Sequence, residues 1–143
     1  MNKQMKKTFL SLIIPLTVFG CDRWDQQLTI INRTSDTIFA TISLDGSFRE
    51  HPIKMSEGDT LWTHIRFISP NDSIRPLSVE GMSWEETVNK EGKDSIVTIF
   101  IFENETLTFI PADSLVPNQL CSKKYSYKVK DLKKLDWRIE YKE

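Results

Sequence analysis

The residues able to do chemistry are few, and their spacing does not suit catalysis. The chain has two histidines, His51 and His64, and two cysteines, Cys21 and Cys121. A hydrolytic triad needs a nucleophilic Ser or Cys, a His and an acid that converge. Here His51 precedes Pro52 in an expected loop, and His64 falls on the polar side of a strand-like run. No Gly-x-Ser-x-Gly turn is present to raise a serine as nucleophile. The histidines are thirteen residues apart with no Cys or His at ligand spacing, so no zinc site is expected. Glycosidases need two carboxylates across a cleft. Glu85 and Glu86 are neighbours; on a helix they would point about 100° apart and serve as N-terminal charges. None of the five glycines builds a phosphate-cradling loop. The expectation is a non-enzymatic protein with no metal and no cofactor.

The N-terminus carries more information. Lys3, Lys6 and Lys7 form a basic start, and residues 8–19 form an apolar run of secretory length. A spanning helix needs roughly 20 apolar residues, and Pro15 would interrupt this one. The run ends Val18-Phe19-Gly20-Cys21, followed at once by Asp22, Arg23 and Asp25. This order resembles a bacterial lipobox, with Phe19 bulkier than the pattern prefers. The resemblance implies that Cys21 receives a diacylglyceryl group, that residues 1–20 are removed as a signal peptide, and that the new amino group is acylated with a chain such as palmitate. The alternatives are an ordinary signal peptide with a coincidental cysteine, and a cytosolic protein with an apolar first strand. Each buried methylene contributes about 0.8 kcal/mol, and two or more chains anchor stably where one does not. Residues 21–27 would then be a lipidated tether, and residues 28–143 a single domain.

From Cys21 onward the chain has 16 basic and 20 acidic side chains. That balance lacks the basic face expected of a nucleic-acid binder. With Cys21 lipidated, Cys121 has no partner, so no disulfide framework is expected. Cys121 reads as a small core or half-buried residue.

The elements read mostly as short strands. Residues 28–32 are β-branched, residues 33–36 are turn-forming, and Ile38, Ala40 and Ile42 alternate onto one face. Residues 60–68 read as one strand with Leu61, Thr63, Ile65 and Phe67 on a shared face, and a weaker strand follows near 74–79. Ser83 with Glu86 forms a capping-box pattern, predicting a short helix over 84–89. Residues 95–102 are apolar on both faces, as in a central strand covered on both sides. Pro111 and Pro117 allow only short helical turns in 103–118. Tyr125, Tyr127 and Val129 alternate, then Val129, Leu132 and Leu135 suit a short helix, and 137–141 alternate again. This strand-helix-strand end is expected to return the chain beside itself. Many short strands with turns between them predict a mainly β fold, a β-sandwich (Ig-like or related) with one or two short helices.

Nearly all of the mature chain is similar to small lipoproteins of Bacteroidetes-type bacteria. The similarity rests on Cys21 and on "LTIINRTSDTIF", "DSIVTIFIFENETL" and "YSYKVKDLKKLDWRIEY". It implies an address and a fold class, with no catalytic motif and no assigned ligand. Five of the ten aspartates stand before Ser or Thr and then an apolar residue, at Thr37, Thr60, Ser73, Ser95 and Ser114. This triplet resembles the acceptor motif for general O-glycosylation in the same bacteria, and Thr37 and Ser73 are nearest turn tips. A β-protein also makes the triplet simply by placing Asp in a turn before a strand. The sequons at Asn32, Asn71 and Asn104 carry little weight in such a protein.

Four tryptophans raise a carbohydrate-binding alternative. Trp62 and Trp137 fall at strand positions suited to packing. Trp84, near a helix start, is the candidate glycan-contact aromatic. Lys123, Lys124, Lys128, Lys130, Lys133 and Lys134 make the C-terminal third basic. They read as a solvated face or as a contact for anionic headgroups or an acidic partner. The leading expectation is an outer-membrane lipoprotein of the cell envelope, periplasmic or surface-facing. It would be held by lipid on Cys21 and act as a binding or assembly module for an envelope protein or glycan. Nucleic acid is not an expected partner. The alternatives are a glycan-binding surface lipoprotein and an envelope inhibitor or immunity protein.

Overall fold

The computed structural model describes residues 25–48, 53–54, 60–61, 64–109 and 112–142; for 53–54, 60–61, 108–109 and 112–113 it describes the backbone alone. The strands are β1 (Thr29–Asn32), β2 (Ile38–Ser43), β3 (Ile53–Lys54), β4 (Thr60–Leu61), β5 (Arg66–Ile68), β6 (Ser73–Ile74), β7 (Ile96–Glu103), β8 (Lys123–Lys128) and β9 (Arg138–Tyr141). The helices are α1 (Trp84–Glu91), α2 (Asn104–Phe109), α3 (Ala112–Leu115) and α4 (Val129–Lys134). A four-stranded antiparallel sheet runs β5-β2-β7-β8, and a three-stranded sheet runs β6-β1-β9. In the smaller sheet β1 is antiparallel to β6 and parallel to β9. β3 and β4 form a separate antiparallel pair. The result is a small β-rich domain with two main sheets and few helices.

β7 explains the arrangement. Its side chains alternate between two cores, as its two-sided apolar pattern requires. Val97, Ile99 and Ile101 enter a core built from both sheets, with Ile30 of β1, Ile38 and Ala40 of β2, and Ile139 of β9. Helices α1 and α4 contribute Trp84, Val88 and Leu132 to that core. Phe100 and Phe102 enter a second core on the opposite face, with Phe48, Ile65 and Leu115. Phe48 sits 5.0 Å from the Phe102 ring and 5.8 Å from the Phe100 ring, both tilted. Such pairs add about 0.5–1.5 kcal/mol beyond burial.

Helix α1 begins where its capping box directs. Ser83 Oγ accepts from Glu86 N, and the Glu86 carboxylate accepts from Ser83 N at 3.0 Å. It ends at Gly92, where a Cβ would lie 2.4 Å from the Val88 carbonyl oxygen and 2.7 Å from that of Ile96. Trp84, Thr87 and Val88, spaced i, i+3, i+4, form its buried face.

Three expectations are corrected. The run 60–68 is not one strand: the chain bends at His64, leaving β4 and β5 as separate pieces. Ile65 is buried in the second core, while Phe67, opposite Phe39, stays 69% exposed at the rim of that face. Second, the C-terminal strands do not lie side by side. Asp136 and Trp137 adopt left-handed backbone at φ 50° and 57°. They end α4 and carry the chain into the other sheet, where β9 joins β1. Trp137 is buried in the shared core, and its carbonyl accepts from Thr29 N at 2.9 Å. Third, Asp25, expected to belong to a tether, is bonded to the domain. The Asp25 carboxylate accepts from Trp84 N at 2.8 Å, and Asp25 N donates to Ser78 Oγ at 2.9 Å.

Candidate functional site

The shared core is open at one edge, where β5 and β6 end their sheets. The gap there is a crevice of about 400 Å³, within the range of small-ligand sites. Ile30, Ala40 and Trp84 are buried and form its floor. Ile42, Ile74 and Leu77 are among its walls. Pro76, Leu77, Ser78 and Val79 cross beside it in an extended segment after β6.

Trp84, Ser78 and Thr87 on the crevice wall are hydrogen-bonded within the protein, and Thr41 lines it as well. Trp84 Nε1 donates to the Pro76 carbonyl at 3.1 Å. Ser78 Oγ donates to the Met82 carbonyl at 2.7 Å, and Thr87 Oγ1 accepts from Val79 N at 3.3 Å. Arginine borders the crevice and the depression beside it. Arg66 lines the crevice, and Arg66 and Arg75 together line a contiguous depression with Ile74, Pro76 and Leu77. His64, at the bend before β5, also borders the crevice and is exposed.

At the opposite edge, β8 and β9 bound a second depression of about 500 Å³ lined by Tyr125, Tyr127, Leu135 and Arg138. The two tyrosine rings lie 6.1 Å apart and near parallel. Burial pushes both phenols up, and for Tyr127 the neighbouring Tyr125 adds to it. Among the described residues no group of three or more His, Cys, Asp or Glu converges as a metal site. No helix among them is long and apolar enough to cross a membrane.

The structure separates the sequence-derived site residues. Cys21, His51 and Trp62 lie outside the described residues, and Thr60 is described only as backbone in β4. Trp84 is corrected: it is 3% exposed, so its ring faces cannot stack on a sugar. The cause is the i, i+3, i+4 face of α1, which turns Trp84 into the core. That spacing was visible in the sequence and outranks the position near a helix start. Among the Asp-Ser/Thr hydroxyls, Ser73 is exposed on β6, while Thr37, Ser95 and Ser114 are half-buried. These four lie on separate elements and form no common site. Asn32 is fully buried, with its amide hydrogen-bonded inside the fold.

Among the described residues, partners are seen for three of the six C-terminal lysines. Lys133 pairs with Glu85 at 2.7 Å, Lys134 with Asp131 at 3.7 Å, and Lys124 donates to the Gly46 carbonyl at 3.0 Å. Lys124 also lies 5.1 Å from the Phe100 ring centre. Cys121 is half-buried against the second core. Burial pushes its thiol up, with Lys124 opposing. Sequence reasoning missed Arg66 and Arg75, because neither belongs to a motif and only the strand order brings them together. Comparison with known proteins returns no matching family model, no similar curated protein and no similar solved structure.

Proposed function

We propose that this protein is a lipid-anchored envelope lipoprotein whose β-rich domain is a non-enzymatic binding or assembly module at the outer membrane. The address rests on the basic start, the apolar run and Gly20-Cys21. The binding role rests on one observation: the core shared by the two sheets opens into an apolar crevice rimmed by arginine. That shared core also supports the finer reading of the fold as a β-sandwich. Because Asp25 is bonded to Ser78 and to the start of α1, only three residues stand between Cys21 and the first residue bonded into the domain, a span of four Cα-to-Cα steps. A fully extended chain of that length reaches about 14 Å. Lipid on Cys21 would therefore hold the domain, and the crevice that Ser78 and Trp84 line, close to the bilayer.

The deciding measurement is the intact mass of protein from its host's membrane fraction, with fragmentation of the N-terminal peptide. We expect a chain that starts at an acylated Cys21. An intact segment 1–20 or an unmodified Cys21 overturns the anchor. Extra mass in hexose steps would place glycan on the Asp-Ser/Thr motifs, with Ser73 the most accessible described hydroxyl. A second reading, glycan binding, is favoured by the paired Tyr125 and Tyr127 rings beside Arg138. It requires soluble oligosaccharides to perturb these tyrosines.

A further inference from the structure

We infer that the β5/β6 crevice binds an amphipathic anion, a single apolar chain ending in a carboxylate, with the chain between the sheets and the head on Arg66 and Arg75. The inference rests on the binding-module reading above and names its ligand class. The interior of the crevice offers an apolar tail a floor of buried Ile30, Ala40 and Trp84. Of its polar groups, Trp84 Nε1, Ser78 Oγ and Thr87 Oγ1 already have partners, so beyond Thr41 it offers a polar tail little to bond. A buried polar group without a partner is costly, so such a wall selects against polar chains.

The mouth has the opposite character. Among the described residues no carboxylate lines the crevice or the adjoining depression. Among the described residues, neither Arg66 nor Arg75 has an ion-pair or hydrogen-bond partner. Arg66 on the crevice and Arg75 on the adjoining depression are charge-complementary to an anionic head, and arginine binds carboxylates in bidentate fashion. The chain from Cys21 onward has four more acidic than basic side chains. That field opposes a doubly charged head more than a singly charged one, which favours carboxylate over phosphate. The position agrees: Asp25, the described residue nearest Cys21 in the chain, is hydrogen-bonded to Ser78 on the crevice wall. A lipid-derived ligand would thus meet the site at the membrane-proximal entry of the chain.

The test uses the full chain carrying Cys21→Ser, purified without detergent, so that no attached lipid competes. Dodecanoate, dodecanol and dodecyl phosphate are titrated calorimetrically below their aggregation limits. We expect dodecanoate to bind and dodecanol to bind at least about tenfold more weakly, the loss of one charge-assisted contact. The double variant Arg66→Gln, Arg75→Gln should lose at least about tenfold for dodecanoate and keep its affinity for dodecanol. Both side chains are exposed, so an unchanged circular dichroism spectrum is expected. Leu77→Asp, at the 53% exposed rim, should weaken dodecanoate in the same direction. Equal affinity for acid and alcohol, unchanged affinity in the double variant, or no binding at all overturns the inference. Dodecyl phosphate binding at least tenfold tighter than dodecanoate overturns the carboxylate assignment. A negative result here leaves the acylation of Cys21 standing, and an unacylated Cys21 with intact dodecanoate binding removes only the anchor.

Discussion

Asn32 joins the two sheets at the level of single atoms. It is fully buried on β1, and its Nδ2 donates to the Asp36 carbonyl at 2.7 Å and the Ile68 carbonyl at 3.0 Å. Its Oδ1 accepts from Thr34 N and Thr34 Oγ1 at 2.9 and 2.8 Å. One side chain thus closes the β1–β2 turn and ties β1 to the end of β5 in the other sheet. Removing it strands buried partners, and each unsatisfied group costs about 1–3 kcal/mol. Asn32→Ala should lower stability by about 2–4 kcal/mol in urea denaturation. The same burial excludes Asn32 from sugar attachment in the folded protein. Cys121 gives a second check at this scale. Its half-buried thiol, pushed up by burial, holds little thiolate near neutral pH. Iodoacetamide should therefore modify it roughly tenfold more slowly in the native protein than in urea, followed on its own peptide by mass. Equal rates would remove its place against Phe100 and Phe102.

Among the elements, α1 was the most legible. Ser83 and Glu86 mark its start in the sequence and in the structure, where Gly92 caps its end. Hydrogen bonds from Ser83, backbone first, and the nearby Lys90 hold the Glu86 carboxyl below its usual range. A lowered native pKa stabilises the fold above the ordinary carboxylate value and loses that effect as pH falls through the native value. Ser83→Ala should cost about 1 kcal/mol at neutral pH by loss of the cap. The gap between variant and parent should narrow as falling pH protonates Glu86. Urea unfolding at about pH 7 and about pH 3 tests the sign; a gap that widens in acid contradicts it. β7 was legible for a related reason, since two-sided burial demands an unbroken apolar run. β5 was not. Its three residues are too few for periodicity, and the bend at His64 carries no glycine or proline to announce it. The same holds for the left-handed backbone at Asp136 and Trp137: aspartate enters that region more readily than most residues, but a bulky tryptophan seldom does, and no glycine marks the place.

The two sheets should unfold as one molecule, because one core draws Ile30 and Ile139 from the smaller sheet and Ile38, Val97 and Ile99 from the larger. Tryptophan fluorescence and far-ultraviolet circular dichroism should give coincident urea transitions. Tyr141 adds a polar tie across the same boundary: its hydroxyl on β9 donates to the Glu103 carboxylate at the end of β7. Tyr141→Phe should lower stability by about 1–2 kcal/mol without splitting the transition. Two separated transitions would mean that the sheets are independent units. The sequence by itself determined the β-rich class, the two-sided central strand, the capped helix and the short final helix. Each follows from local periodicity or from a cap a few residues long. It also carried the Gly20-Cys21 pattern, a local chemical signature. Only the tertiary structure decided that β9 crosses to pair with β1, and that Arg66 and Arg75 line one depression beside the crevice. These depend on which strands become neighbours, and strand order arises from contacts between residues far apart in the chain, which no local spacing encodes.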